Sequence, residues 1–227
     1  YAVDVSDLGG MYANHINLIS TESGVGVRNM GVIAGGANDI HINVNGKFIN
    51  TGGEVQSVGS TNITTNGVLE NIGGDISGKG KIFINTTKNS INNTSAGSIA
   101  SESDIYIDSG EFNNKNGKIS SGGILGVNTN GKTLINSGKG SSAGLEAAVV
   151  ALKTGKLDNR AGQIKGGYVA FETSEITNVG GEIQSTGKID MISSGNIDNT
   201  KGLIRSQAGG IQIETAKYFI NKDNITA

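Results

Sequence analysis

Three sets of residues in this 227-residue chain have the types and spacing to do chemistry. Gly126-Val-Asn-Thr-Asn-Gly-Lys-Thr133 satisfies the phosphate-loop pattern G-x-x-x-x-G-K-[ST]. Such a loop follows a strand and opens a helix, so that its backbone amides and its lysine, here Lys132, cradle a nucleotide's phosphates. His15 and His41 are the two histidines, candidates for proton transfer or metal ligation. Glu54 and Asp75 stand 21 residues apart, and Gln163 and Glu182 stand 19 apart. If those intervals are structural repeats, each pair shares a face, as two carboxyl groups must to cleave a glycosidic bond.

What these residues can do depends on the elements that hold them, and those elements repeat. An apolar residue two positions before an asparagine recurs as Val27-x-Asn29, Phe48-x-Asn50, Leu69-x-Asn71, Ile91-x-Asn93 and Phe112-x-Asn114. It continues as Leu134-x-Asn136, Leu157-x-Asn159, Ile176-x-Asn178, Ile197-x-Asn199 and Phe219-x-Asn221. The asparagines advance by 21, 21, 22, 21, 22, 23, 19, 21 and 22 residues. A glycine pair follows several of them, as in Asn50-Thr-Gly-Gly, Asn71-Ile-Gly-Gly and Asn178-Val-Gly-Gly. Another apolar residue then arrives, usually five positions after the asparagine: Val55, Ile76, Ile119, Ile164, Ile183 and Ile204. Alternating pairs close most units, such as Ile40/Ile42, Ile82/Ile84, Ile105/Ile107, Val169/Phe171, Ile189/Met191 and Ile211/Ile213. Period two means strands with one buried face, joined by turns that Gly and Asn permit.

A unit of about 21 residues cannot bury its own apolar face, so neighbours must stack. The reading is an all-β parallel β-helix of about ten coils, each of two or three short strands. At roughly 4.8 Å per coil it is a rod on the order of 45–50 Å long. Equivalent residues then form ladders: the asparagine amides donate from coil to coil while the apolar anchors fill the interior. Composition agrees. There are 37 Gly and no Pro, so no backbone donor is lost from a ladder, and Ile, Val and Leu supply strand-forming side chains. Two regions depart from the unit. Residues 1–26 are expected to be an atypical first coil or a cap, with 27–227 as the repeats. In residues 143–153 the spacing of Leu145, Val149 and Leu152 suits a helix. The strand alternative aligns Val149/Ala151 with Ile211/Ile213, and it is the one favoured.

Set in this frame, the candidate chemistry thins out. Gly131-Lys132-Thr133 runs directly into the Leu134-x-Asn136 anchor, which leaves no room for a helix, so no nucleotide is expected. His15 and His41 fall on the outward phase of alternating strands with no carboxylate cluster beside them, and read as surface residues. The carboxylate pairs follow the glycine turn, a solvated position, with no Arg or Lys gathered there. The calcium-binding G-G-x-G-x-D nonapeptide and ice-binding Thr-x-Thr arrays are absent. The expectation is therefore no enzyme, no cofactor and no metal. A net charge of −2 offers no basic footprint for nucleic acid, and no run of some 20 apolar residues spans a bilayer. Without cysteine there is no disulfide framework. The opening Tyr1-Ala2-Val3-Asp4 reads as the middle of a protein, without a signal-peptide pattern.

The stretch Tyr1 to Gly31, especially Leu8-Gly9-Gly10-Met11-Tyr12 and Gly24-Val25-Gly26-Val27-Arg28-Asn29, strongly resembles a segment of filamentous-hemagglutinin-like exoproteins. These include the contact-dependent growth inhibition effectors of Gram-negative bacteria. The Asn-x-Gly-Gly-x-Ile units resemble that family's hemagglutinin repeats, so the resemblance covers essentially the whole chain. It implies that the β-helix is right-handed and very long, and is exported to the cell surface through an outer-membrane two-partner-secretion transporter. It further implies adhesion, or carriage of a toxin to a neighbouring cell. The family's secretion domain, with its Asn-Pro motifs, and a toxin end are not recognisable in this chain. The expected function is a rigid stalk that projects an adhesive or toxic element. The alternative is an adhesin segment that binds a receptor or glycan through its own outer faces.

Overall fold

The computed structural model describes residues 1–140 and 142–222, and the backbone alone at 225–226. The described residues form 27 strands and no helix. The chain is a parallel β-solenoid of about ten turns, each of ~21 residues. Every strand pairs in parallel with its equivalent one turn away, and three such stacks form three faces. The first face runs in register through Val3, Val27, Phe48, Leu69, Ile91, Phe112, Leu134, Leu157, Ile176, Ile197 and Phe219. The second runs from Met11 through Ile33, Val55, Ile76, Ile99, Ile119, Leu145, Ile164 and Ile183 to Ile204. The third carries two inward columns, one from Ile16 to Ile211 and one from Leu18 to Ile213.

One period-two pattern repeated on three faces buries four inward rows, and those rows are the core. The anchors from Val27 to Ile197 are buried, and Phe219 is half-buried at the end of its stack. Each buried Ile, Leu or Phe is worth roughly 1.5–3 kcal/mol of apolar transfer. The core therefore grows by a fixed increment per turn and has no centre.

Each corner carries a buried polar column. At the first corner, Asn29 through Asn199 are fully buried, and each side-chain amide donates to the Oδ1 of the next asparagine. The nine links run from Asn29 to Asn221 at 2.6–2.9 Å. The same amide groups reach backbone carbonyls, such as Asn71 to Gly74 at 3.0 Å and to Ser98 at 2.9 Å. Asn221, with no further asparagine above it, is exposed. The column starts at Asn29 because the residue below it in register is Val5, and the Asn29 Oδ1 accordingly has no partner.

The glycine pair after the asparagine serves two separate needs. Gly73 has φ 62°, the left-handed region. Gly74 does not, but a Cβ there would sit 2.4 Å from the Asn50 carbonyl oxygen and 2.5 Å from its amide nitrogen. The first glycine relaxes the turn and the second makes room for the ladder. Where the first is replaced, as by Ala161 at φ 49° or Lys201 at φ 55°, a side chain occupies a conformation it disfavours.

Sequence reasoning missed the other two columns. At the second corner, Ser57, Ser101, Ser121, Ser185 and Ser206 are buried and donate to turn carbonyls, as Ser206 does to Gly187 at 2.6 Å. At the third, Ser20, Thr65, Thr86, Ser109, Thr129 and Ser193 cap their own turns, with Thr129 on Lys132 at 2.6 Å.

Two regions that depart from the sequence unit are drawn into the repeat. Residues 1–26 form a first coil in register with the second, pairing Val3 with Val27, Met11 with Ile33 and Ile16 with Ile40. Its anchor was illegible because Val5 stands in the asparagine's place. Residues 144–153 lie within the 15-residue strand Gly144–Asp158, which excludes the helical alternative. The inward pair there is Val150/Leu152, aligned with Val169/Phe171, and not Val149/Ala151. The spacing argument slipped by one residue because this strand and the next, Gln163–Thr177, run through the third corner without a turn. A straight corner spends one residue fewer, and a one-residue shift flips every side chain.

Candidate binding face

The structure distributes the residues singled out for chemistry along the rod. The phosphate-loop match is the third corner of one coil. Gly126, Val127 and Asn128 end the strand Lys118–Asn128, and Asn130 and Gly131 turn at φ 51° and 77°. Three of the amides such a loop would offer a phosphate are committed. Thr129 N–H donates to Lys153 O, Asn130 N–H to Asn128 Oδ1 and Lys132 N–H to Thr129 O, each at 3.0 Å. Leu134 follows as an anchor strand.

His15 and His41 come together, with ring centroids 5.4 Å apart, and Asp39 Oδ2 lies 3.9 Å from His41 Nε2. His15 and Asp39 are brought alongside each other because Ile16 pairs with Ile40, so the preceding residues meet. Among the described residues no group of three or more metal-ligating side chains gathers. Glu54 and Asp75 are register partners, as are Gln163 and Glu182. Asp75 accepts from Ser77 at 2.7 Å. Glu182, expected without a cation, has Lys139 at 3.0 Å, reached from the enlarged corner after Asn136. Lys139 first, then Gln163, holds the Glu182 carboxyl below its ordinary value.

The site that sequence reasoning missed lies on the outside of the third face. Its central outward row runs Asn62, Phe83, Tyr106, Gly126, Ala151, Ala170, Asp190, Gln212. Phe83 and Tyr106 stack with centroids 5.5 Å apart and planes 17° apart. The Tyr106 ring leans over Gly126, where a Cβ would meet it at 3.0 Å. Beyond it, Ala151 and Ala170 leave a floor with no long side chain. The result is a groove of about 910 Å³, with Phe83 and Tyr106 at one end and Tyr168, Asp190 and Ile192 at the other. Asn128, Lys153 and Glu172 line one side. The signal was available: Ile82-Phe83-Ile84 and Ile105-Tyr106-Ile107 each put an aromatic ring on the outward phase between two inward isoleucines.

Charges around the groove are paired, across coils at Lys153 and Lys81 and within one coil at Lys188. Lys153 meets Glu172 at 2.9 Å, Lys188 meets Asp190 at 2.7 Å and Lys81 meets Asp104 at 3.0 Å. Asp104 is held low chiefly by the Ile124 amide at 2.9 Å and then by Lys81, so one carboxylate ties three coils together. The Tyr168 hydroxyl donates to Asp190 at 2.7 Å, which raises the phenol's pKa; Lys188, then Tyr168, lowers that of Asp190. Asp108 accepts the amides of Asn130 at 2.7 Å and Asn128 at 3.3 Å. The arrangement presents rings and amides with little unpaired charge.

A rod of stacked parallel coils with a self-satisfied core and a grooved flank defines the class, a parallel β-solenoid. Within that class, part of the chain is similar to two curated proteins. It is 53% identical over 51 residues to "tRNA nuclease CdiA-2" of Burkholderia pseudomallei (strain 1026b), and 57% identical over 51 residues to "Toxin CdiA" of Yersinia pestis. Each match covers 22% of this chain and 2% of the relative. No protein-family model matches the chain, and no solved structure matches it. The partial matches and the solenoid together fit a segment of a filamentous-hemagglutinin-like exoprotein of the contact-dependent growth inhibition kind.

Proposed function

We propose that this chain is a rigid β-helical stalk segment of a large secreted exoprotein, which projects an adhesive or toxin-delivery element toward target cells. The observation that carries the reading is the continuity of the rod. Nine consecutive asparagine links and an aliphatic core run from coil to coil, so that bending the rod would part buried hydrogen bonds. The matched stretch is 2% of each relative's length, which suits one piece of a long, repetitive molecule. On this reading the segment lies on the outside of a Gram-negative cell after export by an outer-membrane partner. On this reading it performs no catalysis itself. A second reading, direct binding of a receptor or glycan through an outer face, is favoured by the groove on the third face.

The test is deletion of residues 48–68 from the complete exoprotein that carries this segment. Leu69 then takes the place of its register partner Phe48. Export and action on target cells should survive with one coil less reach, whereas deletion of residues 48–58 should destroy register and export. Loss of function after the whole-coil deletion, with export intact, would show that the segment is more than interchangeable length.

A further inference from the structure

We propose that the groove on the outer third face binds a neutral, linear hexopyranose chain laid along the rod axis. This deepens the second reading of function and does not depend on the stalk role. The shape is that of a ligand site, a trough of about 910 Å³ along the flank of the rod. Aromatic rings stand at both ends, the Phe83–Tyr106 stack and Tyr168, and offer flat apolar faces to the C–H faces of sugar rings. The floor is cleared by Ala151 and Ala170, so a ring can approach the backbone. Asn62 and Asn85 line the groove and add side-chain amide donors for a ligand's hydroxyls. Donors and acceptors repeat at the coil spacing of roughly 4.8 Å, which suits a polymer of repeating polar units over a single compact ligand.

Charge decides the class of ligand. Lys153 is bound to Glu172 and Lys188 to Asp190, so the cations an anionic chain would need are already neutralised. Asp108 lies nearby and would repel a phosphate or sulfate. A second copy of the chain is disfavoured because the apolar surface is a narrow trough, where a standard interface needs roughly 800 Å² per partner.

The experiment titrates the 227-residue chain with cellohexaose, maltohexaose and chitohexaose, and separately with heparin, by calorimetry. Tyrosine emission is a second readout, since the chain has no tryptophan. Saturable binding of at least one neutral hexasaccharide is expected, weakened at least tenfold by Tyr106→Ala and by Ala151→Arg with unchanged melting of the latter. Ala151→Arg fills the groove without touching the core, so it decides the matter if Tyr106→Ala disturbs packing. Failure of all three sugars to bind at millimolar concentration, binding indifferent to Ala151→Arg, or heparin binding tighter than every neutral sugar overturns the proposal. A dimer dissolved by Ala151→Arg overturns it too, by naming a second copy as the occupant. Coil deletion in the complete exoprotein tests the stalk separately, so failure of one leaves the other standing.

Discussion

The first and third corners of the rod are both lined by buried polar columns, yet they respond differently where two coils straighten. Through Gly144–Asp158 and Gln163–Thr177 the asparagine links continue without loss, Asn136 to Asn159 at 2.7 Å and Asn159 to Asn178 at 2.6 Å. On the third corner of the same coils, the buried hydroxyls of Thr154 and Thr173 have no partner. The reason lies in the groups. An amide has two N–H donors and an acceptor, enough to hold its own turn and the coil above at once. A hydroxyl has one donor, which Thr129 spends on its own turn at Lys132. When the strand runs straight there is no turn to cap, and the hydroxyl is stranded. The asparagine column thus fixes register between coils, and the Ser/Thr column fixes turns within them.

Substitutions can break this contrast. Asn114→Leu should have the largest effect, because it orphans the Asn136 Oδ1 and strips one of two partners from both the Asn93 amide and the Gly117 carbonyl. A loss of about 3 kcal/mol is expected, read as a lower urea midpoint; a loss under about 1 kcal/mol would show that the ladder is ornamental. Thr129→Val should cost about 1 kcal/mol, while Thr173→Val, which removes an unsatisfied hydroxyl, should be neutral or stabilising. Equal losses at the two sites would erase the distinction between capped and straight corners.

Two smaller effects sharpen it. Ala161→Gly should stabilise by roughly 0.5–1 kcal/mol, since Ala161 is held at φ 49° and glycine relaxes there. A lower melting temperature for this variant would mean that the turn is not strained. Neither column titrates, so pH dependence falls to the surface carboxylates. Asp158 is held low by Arg160, and Asp104 by the Ile124 amide and Lys81. A depressed folded-state pKa gives stability that is present above the unfolded value and lost as pH falls through the folded one. Urea midpoints should therefore stay nearly flat from neutrality to the ordinary glutamate value of 4.5, below which Glu182 is held, and decline from there through the aspartate value of 3.8. A midpoint that falls on going from pH 7 to pH 5 would contradict this.

Much of the inward half of the molecule was legible. Leu69-x-Asn71 names both the core residue and the ladder residue, and its 21- to 22-residue echo gives the register. Outward residues carry no such constraint, and Phe83 and Tyr106 therefore passed as unremarkable strand residues. The Ser and Thr columns were hidden because both residue types are also common in solvated turns. The slip at Val149/Ala151 has the same root: counting residues assumes that every corner is equally long, which coil-to-coil pairing alone can check.

By itself, then, the sequence determined the period, the strand class and what lies inside, because burial repeats the same demand at every turn and writes it into residue type. Tertiary structure alone decided which corners bend, that residues 1–26 close into a first coil, and that Lys139 reaches Glu182 across 43 positions. It alone also decided that Tyr106, Ala151 and Tyr168 share one groove. Those outcomes depend on how far each corner advances the chain before the next strand pairs, and that distance is set by contacts between coils.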